Sequence, residues 1–352
     1  MSRSFHRRDL TLCMVLIAAG AGTPARAGET LPDWVENTTI SGLVFGDAYG
    51  VLSHHDGAVD GENGFWFRRV YLTFDTKLED DFDLRLRFEG NSPGDFTRDG
   101  KIDPFVKDLY LKWKRENLDL YLGLSPTPTF SALETFWGYR SVEKTPLDLQ
   151  RLGSSRDTGV AVKGRFGTGD RFGYHLMVGN GSGTRGETDD GKKVMAALSF
   201  RPAESWSIEA YADTENRPGH ANRTTYQASI GQRHDRYRWG ALYARQNRET
   251  GPGEDLGLDL VSVFGVVKLK DRLTLLGRID RMFDPNPEGD KIPYIPFDPS
   301  ARSTFVLVGL DFAVRPSVSF IPNIETVFYD TPGSSPDPDT DVIARFTFFA
   351  HF

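Results

Sequence analysis

From residue 38 to its last residue the chain alternates apolar and polar side chains in short segments, with Gly, Asp and Pro between them. "DLRLRFEG" sets Leu84, Leu86 and Phe88 against Asp83, Arg85, Arg87 and Glu89. "LDLYLGL" sets Leu118, Leu120, Leu122 and Leu124 against Asp119 and Tyr121. "VYLTFDTKL" and "VAVKGRF" repeat the pattern, and the chain ends on "FTFFAHF" with Phe346, Phe348, Ala350 and Phe352 on one parity. A period of two is that of a β-strand with one apolar face. The pattern predicts sixteen strands, near 38–52, 65–78, 82–91, 105–115, 118–124, 157–167, 172–179 and 194–202, then 206–214, 224–234, 237–246, 259–268, 273–282, 303–314, 318–329 and 341–352. A helical period is not found beyond the N-terminal stretch.

The links between these strands alternate in length. "EN", "DR" and "RP" follow even strands, whereas "SHHDGAVDGENG" (53–64) and "FDPNPEGDKIPYIPFDPSAR" (283–302) follow odd ones. A soluble sandwich has no reason for that alternation; an outer-membrane barrel has short periplasmic turns and longer outer loops. Strands of about ten residues suit a tilted crossing, and a bilayer core tolerates only helices or closed barrels. The sequence therefore predicts an all-β chain, a transmembrane antiparallel barrel of about sixteen strands with a wet inner face and an aqueous channel. Trp66, Trp113, Trp206, Trp239 and Tyr329, near strand ends, are placed in interfacial girdles.

The two ends agree with that reading. "MSRSFHRRDL", the apolar "TLCMVLIAAGAG" and "ARA" at 25–27 form a charged region, a hydrophobic region and a small-residue cleavage site. Residues 1–27 read as a signal peptide and 28–352 as the barrel domain. The peptide carries four Arg and one Asp, so its removal takes the formal charge from −7 to −10. It also carries the single cysteine, Cys13, which leaves no disulfide or thiol chemistry. The acidic balance disfavours nucleic acid.

Inward parity supplies candidate pore-lining cations: Arg69, Arg85, Arg87, Lys112, Lys114, Lys163, Arg165, Arg238 and Arg278. Arg68 falls on the outward parity, where a charge is costly near the bilayer midplane. The longest link, residues 125–156, carries Arg140, Lys144, Arg151 and Arg156 against Glu134, Glu143 and Asp148. Loops of that length are usually functional. A basic constriction there would bias a narrow low-dielectric channel toward anions, whatever the net charge.

"GFWFRRVYLTFDTKLEDDFDLRLRFE", "FVKDLYLKWKRENLDLYLGLSPTPTFSALE" and "SSRDTGVAVKGRFG" resemble strands of the phosphate-selective porins of the O and P type, most closely from Phe65 to Gly167. The resemblance implies a sixteen-stranded homotrimeric outer-membrane porin of a Gram-negative bacterium, among lipid and lipopolysaccharide, with its third loop folded into the lumen. It also implies that barrel-insertion machinery and periplasmic chaperones read the strand ending in Phe352. Family members bind phosphate or polyphosphate through arginines and lysines in the constriction. Here the residues after "YLGLS" are "PTPTF", and Pro126 and Thr127 supply no charge where relatives carry a basic residue. The fold therefore carries over better than the phosphate specificity.

No nucleophile elbow or phosphate-cradling glycine motif occurs, so no enzyme and no cofactor are expected. His54 and His55 lie in a Gly/Asp-rich link, but two adjacent histidines without further ligands fall short of a metal site. The reading is a passive channel for small hydrophilic solutes, leaning to anions such as phosphate. The alternatives are a general or cation-preferring pore and a non-transporting structural or adhesive barrel.

Overall fold

The computed structural model describes residues 32–96, 100–251, 253 and 255–352. The expected signal peptide lies outside the described residues. A one-turn helix, α1 (Asp33–Glu36), belongs to a unit separate from the barrel. Among the described residues no helix is long and apolar enough to cross a membrane.

Thr38 onward forms a closed antiparallel barrel of sixteen strands. They are β1 (Thr38–Ser53), β2 (Asn63–Lys77), β3 (Phe82–Gly90), β4 (Phe105–Lys114), β5 (Leu118–Pro126), β6 (Arg156–Phe166), β7 (Phe172–Gly179) and β8 (Lys193–Phe200). The second half comprises β9 (Trp206–Glu215), β10 (Arg223–Arg233), β11 (Tyr237–Arg248), β12 (Leu256–Lys270), β13 (Leu273–Met282), β14 (Arg302–Arg315), β15 (Val318–Asp330) and β16 (Asp341–His351). Short turns gather at one end and the links L1 to L8 at the other. L3 (127–155) and L7 (283–301) are the longest.

The C-terminal phenylalanine closes the barrel. Phe352 and Gly42 exchange both backbone hydrogen bonds, at 3.0 and 3.1 Å, so β1 pairs with β16 as well as β2 and no strand edge is left open. Phe346 is half-exposed on the outer face, as an oily surround requires.

The register shifts at five places among the strand pairs, and two of these β-bulges redirect charged side chains. Between Phe45 and Gly46 the register with β2 jumps from Arg69 to Phe67, leaving Arg68 unpaired. Between Arg87 and Phe88 the register with β4 jumps from Asp108 to Val106, leaving Lys107 unpaired. An extra residue shifts the parity of the rest of its strand by one. Arg68 therefore points inward together with Arg69, and Lys107 together with Asp108. All four are buried or nearly so. This corrects the outward placement of Arg68.

The inner face is not wet throughout, contrary to expectation. On β11 to β16 it carries Leu242, Leu258, Leu260, Leu276, Phe305, Leu307 and Ile343, all buried. L3 supplies the other half of this core through Phe130, Leu133, Trp137, Val142, Leu147 and Leu149, and L7 adds Ile292, Ile295 and Phe297. Each such side chain gains about 1.5–3 kcal/mol by leaving water. The two loops thus fill one side of the lumen and leave the charged side, on the early strands, as the path for water. The aromatic assignments divide in the same way. Trp66 stacks on Tyr49 inside the barrel at 3.9 Å, and Tyr329 is buried. Trp113, Trp206 and Trp239 share the outward parity near the short turns.

Candidate functional site

The candidate site is the constriction that L3 makes against the wall. L3 contains two helices, α2 (Ser131–Trp137) and α3 (Pro146–Leu149). Gly138 ends α2 in the left-handed conformation, φ 70°, which costs glycine no steric strain. The last carbonyls of a helix are electron-rich and unpaired, and two wall cations meet them. Arg238 donates to the carbonyls of Phe136 (2.9 Å) and Trp137 (3.0 Å), and Arg233 to that of Thr135 (3.1 Å). Further along, Arg68 donates to Val142 O and Arg278 to Lys144 O. Arg68 also pairs with Glu143 at 2.5 Å. Gln246 holds Leu152 O at 2.7 Å, and Asn286 of L7 holds Gln150 O at 2.9 Å.

A cavity of about 450 Å³ lies between this loop and the wall. Arg69 and Tyr71 of β2, Arg87 of β3, Arg156 of β6 and Arg238 of β11 line the wall side. Glu134, Arg140 and Asp148 line the loop side, and Asp311 of β14 completes the charged set. Five guanidinium groups therefore meet three carboxylates. The carboxylates that hold the wall arginines lie behind them. Glu89 receives Arg69 at 3.0 Å and Lys107 at 3.0 Å. Asp108, wholly buried, receives Arg87 at 3.2 Å and is the partner of Arg156. Such backing fixes each planar fork and leaves its other N–H groups available to an oxyanion.

The four loop residues expected at the constriction separate into two levels. Arg140 and Arg156 line this passage, and Arg140 is held by Asp148 at 3.3 Å and Glu134 at 3.7 Å. Lys144 and Arg151 line a cavity of about 550 Å³ on the long-loop side, with Arg185, Lys193, Arg217 and Arg223. Burial pulls the Lys144 ammonium down to about 8, partly opposed by Asp148. Burial raises the Glu143 carboxyl, but Arg68 and Lys144 more than offset it and hold it down at about 2.

The expected wall cations are also dispersed. Arg85 pairs with Asp75 at 2.6 Å, and Lys112 and Lys114 with Asp83 at 3.5 and 2.9 Å. Lys163 and Arg165 line a cavity of about 730 Å³ at the short-turn end, with Glu209 and Arg233. Arg278 corrects the expectation that it lines the pore. Its side chain is fully buried behind L3, paired with Asp280 at 2.7 Å. Alternation alone did not reveal Arg68 and Lys107, which the bulges turn inward, or L7 as a second infolded loop. The apolar "IPYIPF" at 292–297 was the available signal for L7.

Comparison with known proteins places the fold. No protein-family model matches the chain, and no curated protein matches it. Solved structures do. Salmonella typhi OmpF, in complex with daunomycin, superposes with a TM-score of 0.66 at 11% identity, covering 90% of this chain and 97% of that one. The anion-selective porin of Comamonas acidovorans gives 0.62 at 11% identity, covering 90% and 99%. OmpT of Vibrio cholerae gives 0.62 at 11% identity, covering 90% and 97%. At these identities the likeness is one of fold: the chain has the closed sixteen-stranded barrel of the outer-membrane porins.

Proposed function

We propose that this chain is a passive outer-membrane channel for small hydrophilic solutes, with a modest preference for anions. The observation that carries this reading is the five-to-three excess of guanidinium over carboxylate at the constriction, with Glu89 and Asp108 set behind the arginines. Field lines concentrate in a narrow channel with low-dielectric walls, so these nearby charges outweigh the distant acidic surface. Phosphate-type oxyanions fit the forked donors. The O- and P-type resemblance of the early strands adds to that, and the uncharged "PTPTF" limits it to weak competition with chloride. The setting of the proposal is a Gram-negative outer membrane reached through cleavage of residues 1–27. The L1 to L8 end faces outward, and three copies assemble, as in the trimer form solved for Vibrio cholerae OmpT. Phe352 on the closing strand is the feature that insertion machinery would read.

Reversal potentials under a salt gradient in planar bilayers test this. A potential on the anion side, with phosphate reducing chloride current slightly, is expected. A cation-side potential would replace the reading with a general or cation-preferring pore, and negligible conductance would replace it with a structural barrel.

A further inference from the structure

His54 and His55 follow directly after β1 and gain in the fold the third ligand that the sequence did not place beside them. Asp341, the first residue of β16, lies beneath both rings. The rings stack with centroids 4.4 Å apart. His55 Nδ1 lies 2.9 and 3.0 Å from the two Asp341 oxygens, and His54 Nε2 lies 3.8 Å from Asp341 Oδ2. The side chains of His54 and Asp341 are fully buried, and that of His55 is 12% exposed. One ligand atom from each lies within 4.8 Å of the others.

His54 Nε2 is buried, facing the Pro296 carbonyl and Asp341 Oδ2, so both histidines turn a ring nitrogen toward the one carboxylate. We propose that His54, His55 and Asp341 form a site for one borderline-soft divalent cation of the zinc type at the long-loop mouth of the barrel.

The donor set selects the metal class. Two imidazoles and one carboxylate suit zinc and its neighbours, whereas calcium and magnesium favour all-oxygen sites. Donors around one tetrahedral zinc lie about 3.3 Å apart, so the widest pair must draw together by up to about 1.5 Å. A second set of contacts already orients it. Tyr329 Oη donates to Asp341 Oδ2, and the His55 backbone N–H donates to Asp341 Oδ1 at 2.7 Å. The Asp298 backbone N–H in turn donates to Tyr329 Oη at 3.2 Å. A bound ion would therefore tie L1 to β15, β16 and L7.

Binding has a definite proton consequence. His54 Nδ1 now accepts the Asp56 N–H at 3.0 Å, which puts the ring proton on Nε2. Metal on Nε2 moves that proton to Nδ1 and gives up both this hydrogen bond and the contact to the Pro296 carbonyl. His55 likewise passes its proton from Nδ1 to Nε2.

The test uses the full folded barrel, free of any affinity tag, in detergent. Zinc titration by calorimetry is expected to show one site per chain, and cobalt(II) substitution should give the visible bands of a four-coordinate nitrogen/oxygen site. Asp341→Asn and His55→Ala should weaken zinc at least tenfold, while His351→Ala should not. Absence of zinc binding to the unaltered protein would overturn the proposal without recourse to variants. Binding that persists in the His54→Ala/His55→Ala protein would overturn it as well. None of these outcomes depends on whether the barrel conducts anions.

Discussion

A Cβ at position 46 would sit 2.2 Å from the carbonyl oxygen of Trp66. Only glycine permits that approach, and the approach is where the β1–β2 register jumps. Gly46 thus allows the bulge, the bulge turns Arg68 inward, and Arg68 meets Glu143 of L3 at 2.5 Å and Asp47 at 3.6 Å. Both members of the Arg68–Glu143 pair are almost wholly buried. Removing one partner of such a pair leaves the other charge stranded, at a cost of about 3–5 kcal/mol. Arg68→Ala is accordingly expected to loosen L3 and leave the sixteen-stranded barrel standing. Limited proteolysis should then cut within 127–155, and single-channel records should become noisier. Unchanged proteolysis and a quiet channel would show that the apolar packing of Trp137, Leu147 and Leu149 holds the loop without the ion pair.

At the scale of the elements, L3 acts as a charged lip on an apolar wedge. Its helix α2 ends on Arg233 and Arg238, and its later turn rests on Arg68 and Arg278. Lys144 stands on this lip with no ion-pair partner among the described residues, and burial holds its pKa near 8. A lysine with a depressed pKa is charged below that value and loses its charge as pH rises through it. Anion preference should therefore decline between roughly pH 7 and 9 as about half the Lys144 charge is lost near pH 8. Lys144→Met should start lower and show no such decline. A wild-type ratio that stays flat over this range would place Lys144 outside the ion path. The same scale shows what was legible in the sequence. Period two located all sixteen strands to within about three residues, because each crossing must alternate to serve two solvents. It failed at Arg68 and Lys107, since one inserted residue reverses parity without a compositional mark. It also failed on β12, where Leu258 and Leu260 face the L3 core while Val261 and Val263 lie on the opposite parity. Both faces there are apolar, so alternation could not say which was wet. The pairing of His54 and His55 with Asp341 lay beyond sequence reasoning for a different reason. Barrel closure brings together residues from opposite ends of the chain.

For the molecule as a whole, net charge and pore charge point in opposite directions. The full chain carries −7, yet its constriction presents more arginines than carboxylates. Charges beyond about 8 Å are largely screened at physiological salt, so local residues should set selectivity. Arg140 and Arg151 test this at two depths. Arg140 compensates Glu134 and Asp148 at the constriction. Its loss both removes a cation and uncovers two anions. Arg151 lines the outer cavity, where it donates to Lys291 O at 3.1 Å with no ion-pair partner among the described residues. Its loss removes one open charge. A unit charge about 4 Å from a passing ion is worth about 1 kcal/mol in water, roughly a fivefold change in a permeability ratio. Arg140→Ala/Arg151→Ala should therefore lower the anion-to-cation ratio several-fold at 0.1 M salt, with most of the effect in Arg140→Ala alone and less of it at 1 M. If the double variant keeps the wild-type ratio, the selectivity filter is not the L3 lip. The backed arginines Arg69, Arg87 and Arg156 on the wall would then have to carry it alone.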